Sequence, residues 1–295
     1  MGLLDNKRIV VTGAGRGLGR AYAMAMAAEG AKVVVNDVDA AEAEKVVGEI
    51  AERGGKAIPN ADSVADWRGA GRLIAQCVEA FGGIDCLVNN AGIHHNLPIW
   101  QETTESLDQM LAVNVRGTFN PTRHALDHMM PQRHGCIINV TSGSQSGILS
   151  QSVYGASKGA VASFTYNWAM ELAAYNIRVN AISPMAATRM ADNSRAKGFA
   201  SPTFPQWPPE HVAPIAVFLA SDDAANVTGQ IVRLEGDTLS LLSHPKMIAP
   251  AVFPGGWTVA DIRKHFHSTL GQRLEPVGLR AKTYQYYDGL TQQKS

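Results

Sequence analysis

KRIVVTGAGRGLGRAYAMAMAAEG, residues 7–30, decides the fold. Its first six residues are a short, mostly apolar run that stops at glycines, the pattern of a buried parallel strand. Gly13, Gly15, Gly17 and Gly19 follow, with Arg16 and Leu18 between them, and the stretch to Gly30 is a helix pattern rich in Ala and Met. Strand, glycine turn and helix together make a phosphate-binding arrangement. Glycines let the backbone approach a pyrophosphate, and a helix N-terminus supplies N–H donors and a partial positive charge. A glycine cluster alone says little; here the flanking elements that the motif requires are present.

The next apolar run, residues 32–36, ends at Asp37. An acid about 20 residues beyond such a loop is placed to accept hydrogen bonds from ribose hydroxyls and to repel a 2′-phosphate, which predicts NAD rather than NADP. Arg16 is the counter-signal, since it can pair with a phosphate; Asp37 outweighs it because the carboxylate sits where that phosphate would go. The chain then alternates. A helix over 40–53 leads to a strand over 56–60, with Asp62 and Ser63 at its carboxyl end. A helix over 67–81 leads to a strand from 85 to 88, which runs into Asn89-Asn90-Ala91-Gly92. A helix over 104–119 holds Asn114, a residue disfavoured inside helices. Further strands are expected at 135–141, 176–182 and 229–234, with helices at 154–175 and 209–220. The candidates so far lie at carboxyl ends of strands, where open parallel sheets bind ligands.

The fifth strand delivers SGSQSGILSQSVYGASK, residues 142–158. Tyr154 and Lys158 are four apart and share one helix face. A phenol titrates near pH ~10 and is a poor base at neutrality, but an adjacent cation favours its phenolate. With a hydroxyl from Ser142 to hold a substrate oxygen, this is a proton-transfer device for an alcohol or a carbonyl. Tyr-x-x-x-Lys alone is common on amphipathic helices; the surrounding motifs give it weight.

Together these residues resemble the short-chain dehydrogenase/reductase family. Thr12-Gly13-x-x-x-Gly17-x-Gly19 is similar to its cofactor loop, Asn89-Asn90-Ala91-Gly92 to its strand-four motif, and Asn114, Ser142, Tyr154 and Lys158 follow the order of its catalytic tetrad. The resemblance implies an α/β fold: a Rossmann-type doubly wound sheet of about seven parallel strands, helices on both faces, in homodimers or homotetramers. It implies a nicotinamide cofactor held by Gly13, Arg16, Gly17, Leu18, Gly19, Asp37, Asp62, Ser63, Asn90, Tyr154, Lys158 and Thr188. It also implies that Asn114 holds a water linking Lys158 to solvent. GAGRGLGRAYA, VVVNDV, NADSV and SPMAATRM resemble the branch of (3R)-hydroxyacyl-CoA dehydrogenases found in peroxisomal multifunctional enzyme type 2 and in bacterial relatives, which uses NAD. Two departures stand out. Pro184-Met185 replaces the usual Pro-Gly, and the spacing from Ser142 to Tyr154 is one residue short, which keeps Ser144 as an alternative to Ser142.

The expected activity is oxidoreduction of a hydrophobic secondary alcohol or ketone: a 3-hydroxyacyl thioester, a steroid or a terpenoid alcohol. Met185, Met190, Phe199, Phe204 and Trp207 form an apolar set for such a substrate, or else pack the C-terminal extension. A silent NAD-binding assembly protein, or a dehydratase or epimerase of the same family, are the alternatives. Lys plus Arg and Asp plus Glu are 26 each, so no bulk charge draws nucleic acid or an anionic membrane. No apolar run approaches the ~20 residues of a membrane span. Cys77, Cys86 and Cys136 lack metal-ligand spacing and read as small buried hydrophobes in a reducing compartment. No metal is expected, and the N-terminus enters a strand directly, which predicts a cytoplasmic protein. The 295 residues divide into a catalytic domain over 1–240 and an extension over 241–295, packed on the core or a neighbouring subunit, with a helix over 257–270.

Overall fold

Short β-branched runs cannot hide both faces unless helices cover them, and the strands at 8–12, 32–36, 86–89 and 135–140 are buried almost end to end. The computed structural model describes residues 2–186, 207–247 and 250–274. Among these residues the sheet has eight strands in the order β3-β2-β1-β4-β5-β6-β7-β8. They are β1 (Arg8–Thr12), β2 (Lys32–Asn36), β3 (Lys56–Asn60), β4 (Cys86–Asn89), β5 (Gly135–Val140), β6 (Ile177–Met185), β7 (Ile231–Glu235) and β8 (Thr238–Leu242). Pairing is parallel from β3 through β7. The helices are α1 (Gly17–Ala28), α2 (Ala40–Glu52), α3 (Trp67–Phe81), α4 (Thr104–Met110), α5 (Gly117–Gln132), α6 (Ser152–Leu172), α7 (Ala213–Ala220) and α8 (Val259–His265).

Alternate residues of the central strands feed two separate cores. Val11, Val35, Cys86, Val88, Cys136 and Ile138 pack with α1, α2 and α7. Val10, Val34, Leu87 and Ile137 pack with α3, α5 and α6 on the opposite face. Local chemistry bounds the helices. The Asp66 carboxylate accepts from Gly69 N at 2.6 Å and starts α3, and Gly82 ends it at φ 84°.

Three differences from the sequence-based reading have physical reasons. The expected helix over 104–119 is α4 and α5 joined by a π-helical turn, Leu111–Arg116, that contains Asn114. The seven-strand expectation is exceeded by β8, which pairs antiparallel with β7 across the turn at Gly236 and Asp237. Its Leu239 and Leu241 are exposed, so β8 lacks the burial pattern that marks the other strands. The expected helix over 257–270 shortens to α8, which starts at a capping box between Thr258 and Asp261. The chain divides into two units, Met1–Leu242 and Ser243–Ser295. Among the described residues no helix is long and apolar enough to cross a membrane.

Candidate active site

The sheet order reverses between β1 and β4, and the glycine loop opens beside that point. Gly13 sits at φ 60°, and a Cβ there would lie 2.8 Å from Ala91 Cα. A Cβ on Gly19 would lie 2.1 Å from the Gly13 carbonyl oxygen, so no larger residue fits without moving backbone. The loop is clasped from β4. The Asn90 amide donates to the Thr12 and Gly13 carbonyls, each at 2.9 Å, and Thr12 Oγ1 accepts from Asn90 N and Ala91 N at 3.0 Å. The Asn90 side chain therefore shapes the loop and turns toward it. Gly17 and Leu18 open the first turn of α1, where N–H groups have no partner within the helix.

Asp37 stands just past β2. Its carboxylate accepts from Gly15 N at 3.0 Å and Asp39 N at 3.1 Å. Arg16 is held away from this carboxylate in ion pairs with Asp39 at 2.6 Å and Glu42 at 3.1 Å. Asp62 accepts from Asn60 Nδ2 at 3.0 Å and pairs with Arg72. Ser63 accepts from Asp66 N at 3.2 Å through its carbonyl. Thr188 lies outside the described residues, as do Met190, Phe199 and Phe204. A glycine cradle with no room for a Cβ, a helix N-terminus and a carboxylate at the end of β2 fit a dinucleotide.

β5 ends beside α6, so Ser142 meets the first turns of that helix. The Ser142 hydroxyl faces the Tyr154 phenol closely enough to pull its pKa down. Ser144, the alternative, sits behind it: its Oγ is 3.0 Å from Ser142 Oγ and donates to Gln151 Oε1 at 2.6 Å. Gln151 in turn donates to Asn96 Oδ1 at 2.9 Å. Lys158 lies one turn beyond Tyr154, its Nζ 5.8 Å from the ring centroid and donating to the Val140 carbonyl at 2.7 Å. The His94 ring meets the Tyr154 ring edge-on at 4.6 Å.

Asn114 is fully buried. Its Oδ1 accepts from Ile93 N at 2.8 Å, and its Nδ2 donates to Ile93 O and Ser157 Oγ, both at 3.0 Å. A Cβ on Gly92 would lie 3.3 Å from Asn114 Oδ1 and 3.6 Å from Lys158 Nζ, so the amide and the ammonium converge on one point. The π-helical turn carries Asn114, and its amide meets the main chain after β4 at Ile93.

Burial sets the electrostatics of the pair. Burial pushes the Tyr154 phenol up to about 12, against the pull of the Ser142 hydroxyl. Burial also brings Lys158 down to about 8. The Lys158 ammonium donates to the Val140 carbonyl, and desolvation is the leading cause for both groups.

Sequence reasoning missed Gln151, Asn96 and Ser157, which support Ser144 and Asn114, and it left His94 without a role. Gln151 and Asn96 carry no motif of their own. Ser157 had a legible signal: it is three residues from Tyr154 on one helix, and its Oγ donates to the Tyr154 carbonyl at 2.7 Å.

Comparison with known proteins agrees with this geometry. The family model described as short chain dehydrogenase matches residues 7–198. A 3-oxoacyl-acyl-carrier-protein reductase of Thermotoga maritima is 36% identical over 240 residues, covering 79% of this chain and 98% of that protein. Peroxisomal multifunctional enzyme type 2 of Mus musculus is 37% identical over 228 residues, which are 74% of this chain but 30% of that longer protein. A crystal structure of a short chain dehydrogenase from Mycobacterium avium superposes with a TM-score of 0.82 at 36% identity, covering 94% of this chain and 98% of that one.

Proposed function

The chain belongs to the short-chain dehydrogenase/reductase family and is an oxidoreductase of that family, and from that premise we propose that it moves a hydride between NAD and a hydrophobic secondary alcohol or ketone, with a 3-hydroxyacyl or 3-oxoacyl thioester as the preferred class. The observation that carries the reading is the convergence of Tyr154, with Lys158 Nζ 5.8 Å from its ring, and the Asn114 amide beside Gly92, with Ser142 facing the phenol. The thioester preference draws on the Thermotoga relative, whose name specifies a 3-oxoacyl substrate. Met185 and Trp207 are the described members of the apolar set. The preference for NAD draws on Asp37 and on the occupation of Arg16 by Asp39 and Glu42. NAD supplies the hydride acceptor when bound. Gly13, Gly17, Leu18, Gly19 and Asp37 would hold its adenosine half, and Tyr154 and Lys158 its nicotinamide ribose.

The chain's own groups handle the oxygen and its proton. Ser142 donates to the substrate oxygen. In reduction Tyr154 gives its proton to the carbonyl; with its phenol up at about 12 it is fully protonated at neutral pH. In oxidation Tyr154 must first release that proton, so the rate in that direction rises with pH while reduction falls at high pH. Lys158 and Asn114, converging near Gly92, pass the proton outward through a water. Exposed Trp67, Phe119 and Met170 support assembly into a homodimer or homotetramer, which light scattering would report as two or four chain masses.

The test is a panel of secondary alcohols, including 3-hydroxyacyl thioesters, each run with NAD⁺ and NADP⁺ while reduced cofactor is followed by absorbance. Faster turnover with NADP⁺ overturns the cofactor reading, and absence of any turnover overturns the hydride reading in favour of dehydration or epimerisation.

A further inference from the structure

At the amino-terminal ends of the strands, remote from the cofactor loop, a cavity of about 130 Å³ is lined by Lys7, Asp85, His134, Cys136, Arg178 and Asp222, among others. Cys136 is the second residue of β5 and the direct register partner of Cys86, the first residue of parallel β4. Both belong to the same core, so both side chains leave the same face of the sheet. Directly paired strands lie about 4.8 Å apart, within the ~4.4–6.8 Å between Cα atoms that a disulfide spans. Only Cys136 of the two lines the cavity. Cys86 is 1% exposed and lies behind it.

We propose that Cys136 and Cys86 form a peroxide-responsive thiol pair, with Cys136 attacking and Cys86 resolving to a disulfide that links β4 to β5.

Three observations support the roles. Arg178 lines the cavity beside Cys136; its Nη2 donates to the Ser221 carbonyl at 3.0 Å, while its Nη1 is buried with no hydrogen-bond partner. A thiolate at Cys136 gives that nitrogen an acceptor. The neighbouring Cys86 thiol, followed by the Arg178 and Lys7 charges, brings the Cys136 thiol down against the opposing effect of burial, and the Cys136 sulfur pushes Cys86 up. The remaining charges are balanced elsewhere: Lys7 pairs with Asp222 at 2.6 Å, and Asp85 with Arg8 and His134, each at 2.6 Å. Cys77 supplies the contrast. Each thiol donates to a main-chain carbonyl, Cys136 to Leu219 at 3.3 Å and Cys77 to Gly83 at 3.4 Å, but Cys77 lies in the other core, away from Cys86, and burial pushes it up to about 12.

The chemistry balances with hydrogen peroxide as oxidant. The Cys136 thiolate attacks one peroxide oxygen; an S–O bond forms, the O–O bond breaks, and the leaving hydroxide takes up the thiol's proton as water. The Cys86 sulfur then attacks the sulfenic sulfur; an S–S bond forms, the S–O bond breaks, and the hydroxyl leaves as water with the Cys86 proton. Two thiols and one peroxide give one disulfide and two waters.

The experiment does not rest on any substrate or cofactor. The folded full chain is exposed to hydrogen peroxide, quenched with catalase, denatured with N-ethylmaleimide and digested for mass spectrometry. The expected result is a linked Cys86–Cys136 peptide with Cys77 alkylated. In Cys86→Ala, Cys136 stops at the sulfenic acid and is trapped by dimedone. Arg178→Met slows oxidation about tenfold, the effect of losing one facing cation on the thiolate fraction. All three thiols remaining alkylatable under peroxide that oxidises a denatured control overturns the proposal. So does oxidation of Cys77 at the rate of Cys136, or an unchanged rate in Arg178→Met.

Discussion

Lys158→Met should abolish turnover and yet make the protein more stable. Lys158 is 4% exposed, and burial lowers its ammonium from 10.5 to about 8. At neutral pH it is still protonated, so the folded state bears the cost of a buried charge. The drop from 10.5 to about 8, at ~1.4 kcal/mol per pH unit, sets that cost at about 3 kcal/mol. Methionine fills a similar volume and removes the charge, but it leaves the Val140 carbonyl without its donor, which costs about 1–2 kcal/mol. The net expectation is a gain of about 1–2 kcal/mol, or roughly 3–6 °C in Tm for a unit of this size. The sign can be read from pH. Between about 8 and 10.5 the unfolded chain holds more protons at this site than the folded one, so parent stability climbs through that window as the penalty is relieved. The raised Tyr154 phenol acts with opposite sign, lowering stability only above 10. Thermal melts of both proteins from neutral pH to pH ~10 should therefore show the variant's advantage shrinking as pH rises. A variant that melts several degrees lower at neutral pH, with a gap independent of pH, refutes the argument that desolvation controls this lysine.

Tyr154→Phe should keep cofactor affinity and lower kcat by about 10²–10⁴-fold, measured under saturating substrate; turnover at the parent rate removes the tyrosine from the proton path. Asp37→Ser should shift the NAD to NADP ratio of kcat/KM toward NADP by about tenfold or more, since it deletes the carboxylate that repels a 2′-phosphate; an unchanged ratio would falsify the cofactor argument. Gly19→Ala places a methyl 2.1 Å from the Gly13 carbonyl oxygen, and should weaken dinucleotide binding in calorimetry along with a loss of about 1–3 kcal/mol of stability.

Residues 7–37 were legible because each local rule pointed the same way: a buried strand, glycines that admit no Cβ, a helix start, an acid after the next strand. Tyr154 and Lys158 were legible because helical spacing alone puts them on one face. What stayed hidden depended on partners distant in sequence. The π-helical turn at Asn114 is stabilised by Ile93, 21 residues away, and a mid-helix Asn showed only that something was unusual there. β8 was missed because Leu239 and Leu241 face outward, so its pairing with β7 leaves no burial signature. Helical i,i+4 spacing brings the Lys158 ammonium near Tyr154 but does not show where it is aimed. The Val140 carbonyl aims it, from the end of a different strand.

The clasp between Thr12 and Asn90 spans 78 residues of chain. During synthesis the N-terminal strand, turn and helix emerge long before their fastener does. A nascent or truncated chain ending ahead of β4 would carry every glycine of the loop and still lack the amide that closes it. Dinucleotide capture is thus an acquired property of the assembled half-sheet, gained when the fourth strand inserts beside the first, and it can serve as a late marker of folding.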